Sequence, residues 1–269
     1  MEKKTFDFDG IACTYHIEKS DKPIIFLVHG YCCDSRIWEK LIPSLSAQFS
    51  LIVPDLIGYG ESELGKHYSM EYLADYIHAI AVREGIEAYH YVGHSMGGYI
   101  GLAYLQKYPT YLKKLTLLNS HCFTDSAEKS TNREKTITFL ARHGSNTYVN
   151  EIYKSLFSKA FYQSHAELIE ELKLRAKSYP VETLIQSCRG MIDRKDHSDT
   201  LKNASIPIQF ILGMEDSLIP TADFLKQCAF PSVSSIHLIE KMGHMGMFEE
   251  MKATFEHISS FSSWGNDFK

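Results

Sequence analysis

Three things are scarce in this sequence, and each scarcity removes a class of protein. Long apolar runs are missing: stretches such as Ile24-Ile25-Phe26-Leu27-Val28 fall far short of the roughly 20 residues that a bilayer-spanning helix needs. There is no basic block, since 28 Lys+Arg stand against 33 Asp+Glu for a formal charge of -5, so the positive footprint of a nucleic-acid binder is absent. Paired cysteines are absent too. The six (Cys13, Cys32, Cys33, Cys122, Cys188, Cys228) show no CxxC spacing and two of them are adjacent, which indicates neither a zinc site nor a disulfide framework. Reduced thiols in a cytoplasm are the expectation. The opening MEKKTFDFDG has no apolar run behind its lysines and does not read as a secretory signal. What is there, 269 residues with 44% hydrophobic and 23% charged, suits one large globular domain or a domain with a sizeable insertion. A small-molecule substrate is expected, with no nucleic-acid or membrane partner; composition leaves the oligomeric state open.

Along the chain, short β-type runs alternate with helical patterns, which argues for parallel strands joined by crossover helices. Phe6 to Phe8 and Ile11 to Ile17 flank Asp9-Gly10 and read as a hairpin. Ile24 to Val28, Leu51 to Val53, His90 to Gly93 and Leu115 to Asn119 read as strands, with helices predicted over Ser35 to Leu45, Met70 to Gly85 and Met96 to Gln106. From Cys122 to Lys202 the β-type runs stop. Helices are predicted at Asn132 to His143, Val149 to Ala160, His165 to Ser178 and Val181 to Ile192, and a block of that length is too long to be a loop. It reads as an inserted helical subdomain. Alternation then resumes with a strand Ile208 to Leu212, a helix Thr221 to Cys228, a strand Ser235 to Ile239 and a closing helix Met247 to Phe261.

One segment carries chemistry openly. The strand ending His90-Tyr91-Val92-Gly93 runs into His94-Ser95-Met96-Gly97-Gly98 and then into a helix, so Gly-x-Ser-x-Gly stands in strand-turn-helix context, the signature of a nucleophile elbow. The plain alternative is a helix-capping serine in a glycine-rich turn. A serine hydroxyl is a weak nucleophile and needs a base, and the base needs an orienting group. Downstream, Gly213-Met214-Glu215-Asp216 places carboxylates past the end of a strand, and Gly243-His244-Met245-Gly246 places a histidine in a glycine-flanked loop. The order Ser95, Asp216, His244 is that of an α/β-hydrolase triad. His237 falls within a strand and His257 within the closing helix, so both are worse placed as a base. Asp193, Asp196, His197 and Asp199 match no standard metal spacing, and no metal or cofactor is expected.

On these residues the sequence resembles the α/β-hydrolase superfamily, in the branch with a helical cap that includes small esterases, lactonases and meta-cleavage-product carbon-carbon hydrolases. The resemblance runs through His29-Gly30, Asp55-Leu56-Ile57-Gly58-Tyr59-Gly60-Glu61-Ser62, Gly93 to Gly97, Gly213 to Asp216 and Gly243-His244, and is weakest in the cap. It implies an α/β-hydrolase fold, a mostly parallel twisted sheet flanked by helices, with a core of residues 1–121 and 203–269 and a helical cap of 122–202. It places the acid at Asp216 in preference to Glu215, and the oxyanion hole at the backbone N–H groups of Tyr31 and Met96. For Asp55 it implies a structural role.

The expected activity is a serine hydrolase acting on an ester or similar acyl compound. Alternatives on the same fold are carbon-carbon hydrolysis of acidic dienoates, a haloperoxidase-like side chemistry, and a non-catalytic ligand-binding receptor. Tyr31, His121 and Met245 are the candidate substrate-binding residues. Met242 and Met247, with Trp38, Phe123, Phe157, Phe161 and Tyr162, are further candidates for a cleft that most of them reach only as ordinary core. Cys32 and Cys33 follow Tyr31 and read as buried filler. Arg189 and Arg194 lie where carbon-carbon hydrolases carry a carboxylate-binding arginine, against the commoner fate of arginines in ion pairs.

Overall fold

The computed structural model describes residues 1–265. Its strands are β1 (Glu2–Phe8), β2 (Ile11–Glu18), β3 (Ile24–Val28), β4 (Ser50–Pro54), β5 (Tyr89–His94), β6 (Leu112–Leu118), β7 (Ile208–Gly213) and β8 (Ser234–Ile239). They form one sheet in the order β1-β2-β4-β3-β5-β6-β7-β8. β1 and β2 pair antiparallel, β2 meets β4 antiparallel, and every later pairing is parallel. The β1/β2 turn is the Asp9-Gly10 hairpin, with both residues at positive φ (56° and 77°), the conformation a tight turn of matching twist demands. The central strands β4, β5 and β7 are buried at every position, as strands covered on both faces must be.

The helices are α1 (Ile42–Ser46), α2 (Met70–Arg83), α3 (Met96–Lys107), α4 (Ala127–His143), α5 (Ser145–Leu156), α6 (Lys159–Ser164), α7 (Ala166–Lys177), α8 (Val181–Ile192), α9 (Ser198–Lys202), α10 (Thr221–Cys228), α11 (Gly246–Glu249) and α12 (Met251–Ser263). α2 shows why such segments fold as they do. Ser69 caps its first turn by accepting the Tyr72 N–H at 3.1 Å, and Leu73, Ala74, Tyr76, Ile77, Ile80 and Ala81 bury one face.

Three predicted helices are broken. Ser35 to Leu45 is a short 3-10 turn at Ser35–Trp38 followed by α1, because Pro43 fits the first turn of a helix and not its interior. Val149 to Ala160 ends at Leu156, where Phe157 turns extended and Ser158 caps α6. The closing helix divides at Glu250 into α11 and α12. Glu249 accounts for that division: its carboxylate accepts the N–H of Gly243 at 3.0 Å, of Met245 at 3.0 Å and of Ser158 at 2.8 Å.

α4 to α9 fill the interval between β6 and β7 and are fastened to the loops at the C-terminal ends of the strands. Tyr179 Oη donates to Asp34 Oδ2 at 2.6 Å, Tyr153 Oη to the Cys32 carbonyl at 3.2 Å, and Thr183 Oγ1 to the Gly58 carbonyl at 3.1 Å. Arg194 closes the return path: it is buried, bonded to the carbonyls of Phe123 and Met191 and paired with Asp125. Arg189 is exposed.

Candidate active site

Ser95 sits between β5 and α3 with φ 52° and ψ -117°, a backbone state that costs a non-glycine residue about 1–3 kcal/mol and persists only where its surroundings enforce it. The neighbours enforce it by size. A Cβ on Gly93 would stand 2.5 Å from the Gly97 carbonyl oxygen, and one on Gly97 would collide with the Val28 carbonyl. The elbow glycines are thus required by the closeness of α3 to β3 and β5. Ser95 N donates to the Leu118 carbonyl at 2.9 Å, and Ser120 Oγ to the Ser95 carbonyl at 2.8 Å. Met96 opens α3, where N–H groups have no partner within the helix.

His244 lies in the loop after β8, buried, with its N–H on the Leu156 carbonyl at 2.9 Å. Its Nδ1 lies 2.8 Å from Oδ2 of Asp216, whose side chain is fully buried. Asp216 is well supplied with donors. Oδ2 also accepts the Asn119 amide at 2.7 Å, while Oδ1 accepts the backbone N–H of Leu218 at 2.8 Å and of Ile219 at 3.2 Å. Burial pushes this carboxyl up, but the His244 charge and the bonds from His244, Asn119 and Leu218 outweigh it and hold the group below the usual carboxylate range. Glu215 is exposed on the adjoining turn.

Ser95 and His244 line one cavity of about 170 Å³. Tyr31, Tyr99, Tyr148, Ile152, Leu156, Met191, Leu218 and Ile219 supply much of its wall, with Lys129, Asn132, Arg133 and Thr136 from α4. Tyr31 touches the insertion directly: the Cys188 thiol donates to its Oη at 3.5 Å, and its ring stands edge-on to Tyr148 at 6.3 Å. His121 and Met245 are buried and lie outside that wall. His121 instead packs 5.5 Å from Tyr99 and accepts the Phe123 N–H at 3.2 Å. Met242 and Met247 are core, as is Trp38. Asp55 holds loops, accepting the N–H of Ser35 and of Glu61 at 2.9 Å each. His29 ties the loop after β3 to the loop after β4, with Nδ1 donating to the Gly30 carbonyl and Nε2 accepting the Leu56 N–H, both at 2.9 Å.

Several residues at the site have no functional reading in the sequence; Asn119 reads there only as the end of a strand, which stops at Leu118. Asn119, at φ 50°, donates to Asp216 and, at 3.1 Å, to the Gly243 carbonyl, linking the acid to the histidine loop. Its signal is an asparagine just past a strand, a residue type that tolerates left-handed backbone. His94 donates Nε2–H to the His244 carbonyl at 2.9 Å, and Glu249 braces the same loop. Among the described residues no cluster of three or more His, Cys, Asp or Glu is arranged to hold a metal ion, and no helix is long and apolar enough to cross a membrane.

Residues 23–251 match the family described as alpha/beta hydrolase fold, so the chain belongs to the α/β-hydrolase family. Among its relatives is the pimeloyl-[acyl-carrier protein] methyl ester esterase of Aeromonas hydrophila, 26% identical over 89% of this chain and 95% of that one. A solved structure of a thermophilic esterase from Thermogutta terrifontis, with malate bound, superposes with a TM-score of 0.89 at 26% identity, covering 97% of this chain and 98% of its own. The enol-lactonase of Burkholderia xenovorans shares the fold at a TM-score of 0.89 and 18% identity, over 96% and 99% of the two chains.

Proposed function

We propose that this protein is a serine hydrolase that cleaves small carboxylic esters or related acyl compounds through a covalent acyl-enzyme. The observation that carries the reading is the 2.8 Å bond between Asp216 and Nδ1 of His244, with His244 and Ser95 on the wall of one cavity. Engagement of Nδ1 leaves Nε2 as the proton acceptor. As Nε2 takes the Ser95 proton, Oγ bonds to the substrate carbonyl carbon and the carbonyl electron pair moves onto oxygen, held by the N–H groups of Tyr31 and Met96. Collapse of this intermediate breaks the ester C–O bond, and His244 gives its proton to the departing alkoxide. Water then attacks the acyl-enzyme by the same route in reverse and releases the acid. Asp216 stays ionised throughout, fixing the tautomer of His244 and stabilising its charged form. The esterase relatives support ester chemistry. For carbon-carbon hydrolysis the arginine expected near the return to the core has no such support, since Arg194 is committed to Asp125 and backbone carbonyls and Arg189 is exposed.

Fluorophosphonate labelling tests the proposal. The wild type should be labelled at Ser95 and should hydrolyse short p-nitrophenyl esters. Ser95→Ala should lose both, with about six orders of magnitude gone from kcat. More than a few per cent of wild-type turnover in the clean variant would refute the assignment, and an unlabelled, inactive wild type would favour the receptor reading.

A further inference from the structure

Lys129, Asn132, Arg133 and Thr136 reach the cavity from α4 at the i, i+3, i+4, i+7 spacing that shares one side of a helix. That side is polar, while Ile137 and Leu140 of the same helix are buried. An acyl pocket is ordinarily roofed by apolar side chains. Here the roof carries two cations, and no Asp or Glu is among the residues of the cavity wall.

The charge behind the wall offsets this only in part. The Asp125 side chain is fully buried and accepts Arg133 Nε at 2.6 Å and Arg194 Nη2 at 2.8 Å, so one carboxylate is set against two guanidinium groups. Lys129 donates to a neutral carbonyl, that of Leu218, at 3.2 Å. A guanidinium has five N–H donors in a planar fork, and the bond to Asp125 engages Nε, so Arg133 keeps donors for a second oxyanion. The surplus is felt nearby: His121 is held down to about 3 by burial first and then by Lys129 and Arg194. Partly desolvated cations in excess of their counter-charge are costly, and the cost falls when a ligand supplies a further anion.

The geometry points to an anion subsite in which Lys129 and Arg133, flanked by Asn132 and Thr136, bind a free carboxylate carried by the ester substrate. The inference rests on the ester-hydrolase reading and narrows it to esters that are also acids. Two pairs of esters test it. Monomethyl adipate against methyl hexanoate places the carboxylate in the acyl half, and 4-acetoxybutyrate against butyl acetate places it in the alcohol half; acid release is followed at constant pH. In at least one pair the acidic ester should have the higher kcat/KM by tenfold or more. That ratio should collapse in Arg133→Gln and Lys129→Gln and recover in part in Arg133→Lys. Lys129→Gln keeps the test valid if Arg133→Gln folds poorly, since Lys129 is outside the Asp125 ion pairs. Equal or neutral preference in both pairs, or variants that lower both members in parallel, would overturn the subsite and leave the hydrolase reading standing. A wild type that cleaves neither pair and resists fluorophosphonate would overturn both.

Discussion

Replacing Asp216 by asparagine changes one atom and should disable the site by reversing a tautomer. Oδ1 of Asp216 accepts two backbone N–H groups, from Leu218 and Ile219, and backbone donors cannot be re-aimed. In the Asp216→Asn variant the amide oxygen, as the acceptor, must take that position. The new NH₂ is thereby turned toward His244 Nδ1 and the Asn119 amide, where Oδ2 now accepts from both. A donor facing Nδ1 selects the imidazole tautomer with its proton on Nε2, and that nitrogen then has no lone pair to take a proton from Ser95. The expected loss is about four orders of magnitude in kcat, or about 5.5 kcal/mol at about 1.4 kcal/mol per decade. The Asn119 amide and the introduced one would also face each other, at a stability cost of about 1–3 kcal/mol for the donors left unpaired. The assay is turnover of a short p-nitrophenyl ester near pH 7.5 beside a urea denaturation curve. Glu215→Gln, altering an exposed neighbour, serves as the control and should leave both measurements close to wild type. Asp216→Asn above about one per cent of wild-type kcat, or a larger loss in Glu215→Gln, would refute the argument.

Acid should weaken the fold. Burial is the first cause holding His90, His94 and His121 down to about 3, whereas in the unfolded chain each titrates near about 6.5. Between those values the unfolded state binds more protons, so stability falls as pH is lowered, by roughly 2 kcal/mol per histidine near pH 5; a urea midpoint equal near pH 7.5 and near pH 5 would contradict this. Gly97→Ala should yield little soluble protein, because its Cβ has no space beside the Val28 carbonyl, and a normal melting temperature would refute the packing account. Arg194→Gln should destabilise by about 3–5 kcal/mol, as expected for removing one partner from a buried ion pair, while exposed Arg189→Gln should change the melting temperature little.

The parts of the molecule legible in the sequence are those whose cause is local. The Asp9-Gly10 turn, the apolar strand Ile24 to Val28 and the elbow glycines are each dictated by backbone conformation or burial over a few neighbouring residues, and all three occur where the sequence places them. The helix breaks at Phe157 and Glu250 are illegible because their cause is remote: Glu249 is turned by donors from Gly243 and Ser158, in two other segments. The wall of the cavity is hard to read for a similar reason. Aromatics and methionines are the natural pocket candidates, yet a close-packed core uses the same residue types, and Met242, Met245 and Met247 are core. Arg133 escapes a reading guided by apolar periodicity, because a polar stripe at helical spacing ordinarily means solvent.

The histidine loop and the roof of the cavity share their anchors. His244 N–H is bonded to the last residue of α5, Leu156, and Glu249 holds Gly243 and Met245 on one side and Ser158, at the start of α6, on the other. A hinge that lifted the α5–α6 corner would have to break these bonds or drag His244 away from Asp216. The α5–α6 corner and the histidine loop therefore move as one mechanical unit: neither can shift without breaking these bonds or carrying the other with it, so the position of His244 is set from the insertion as well as from the sheet.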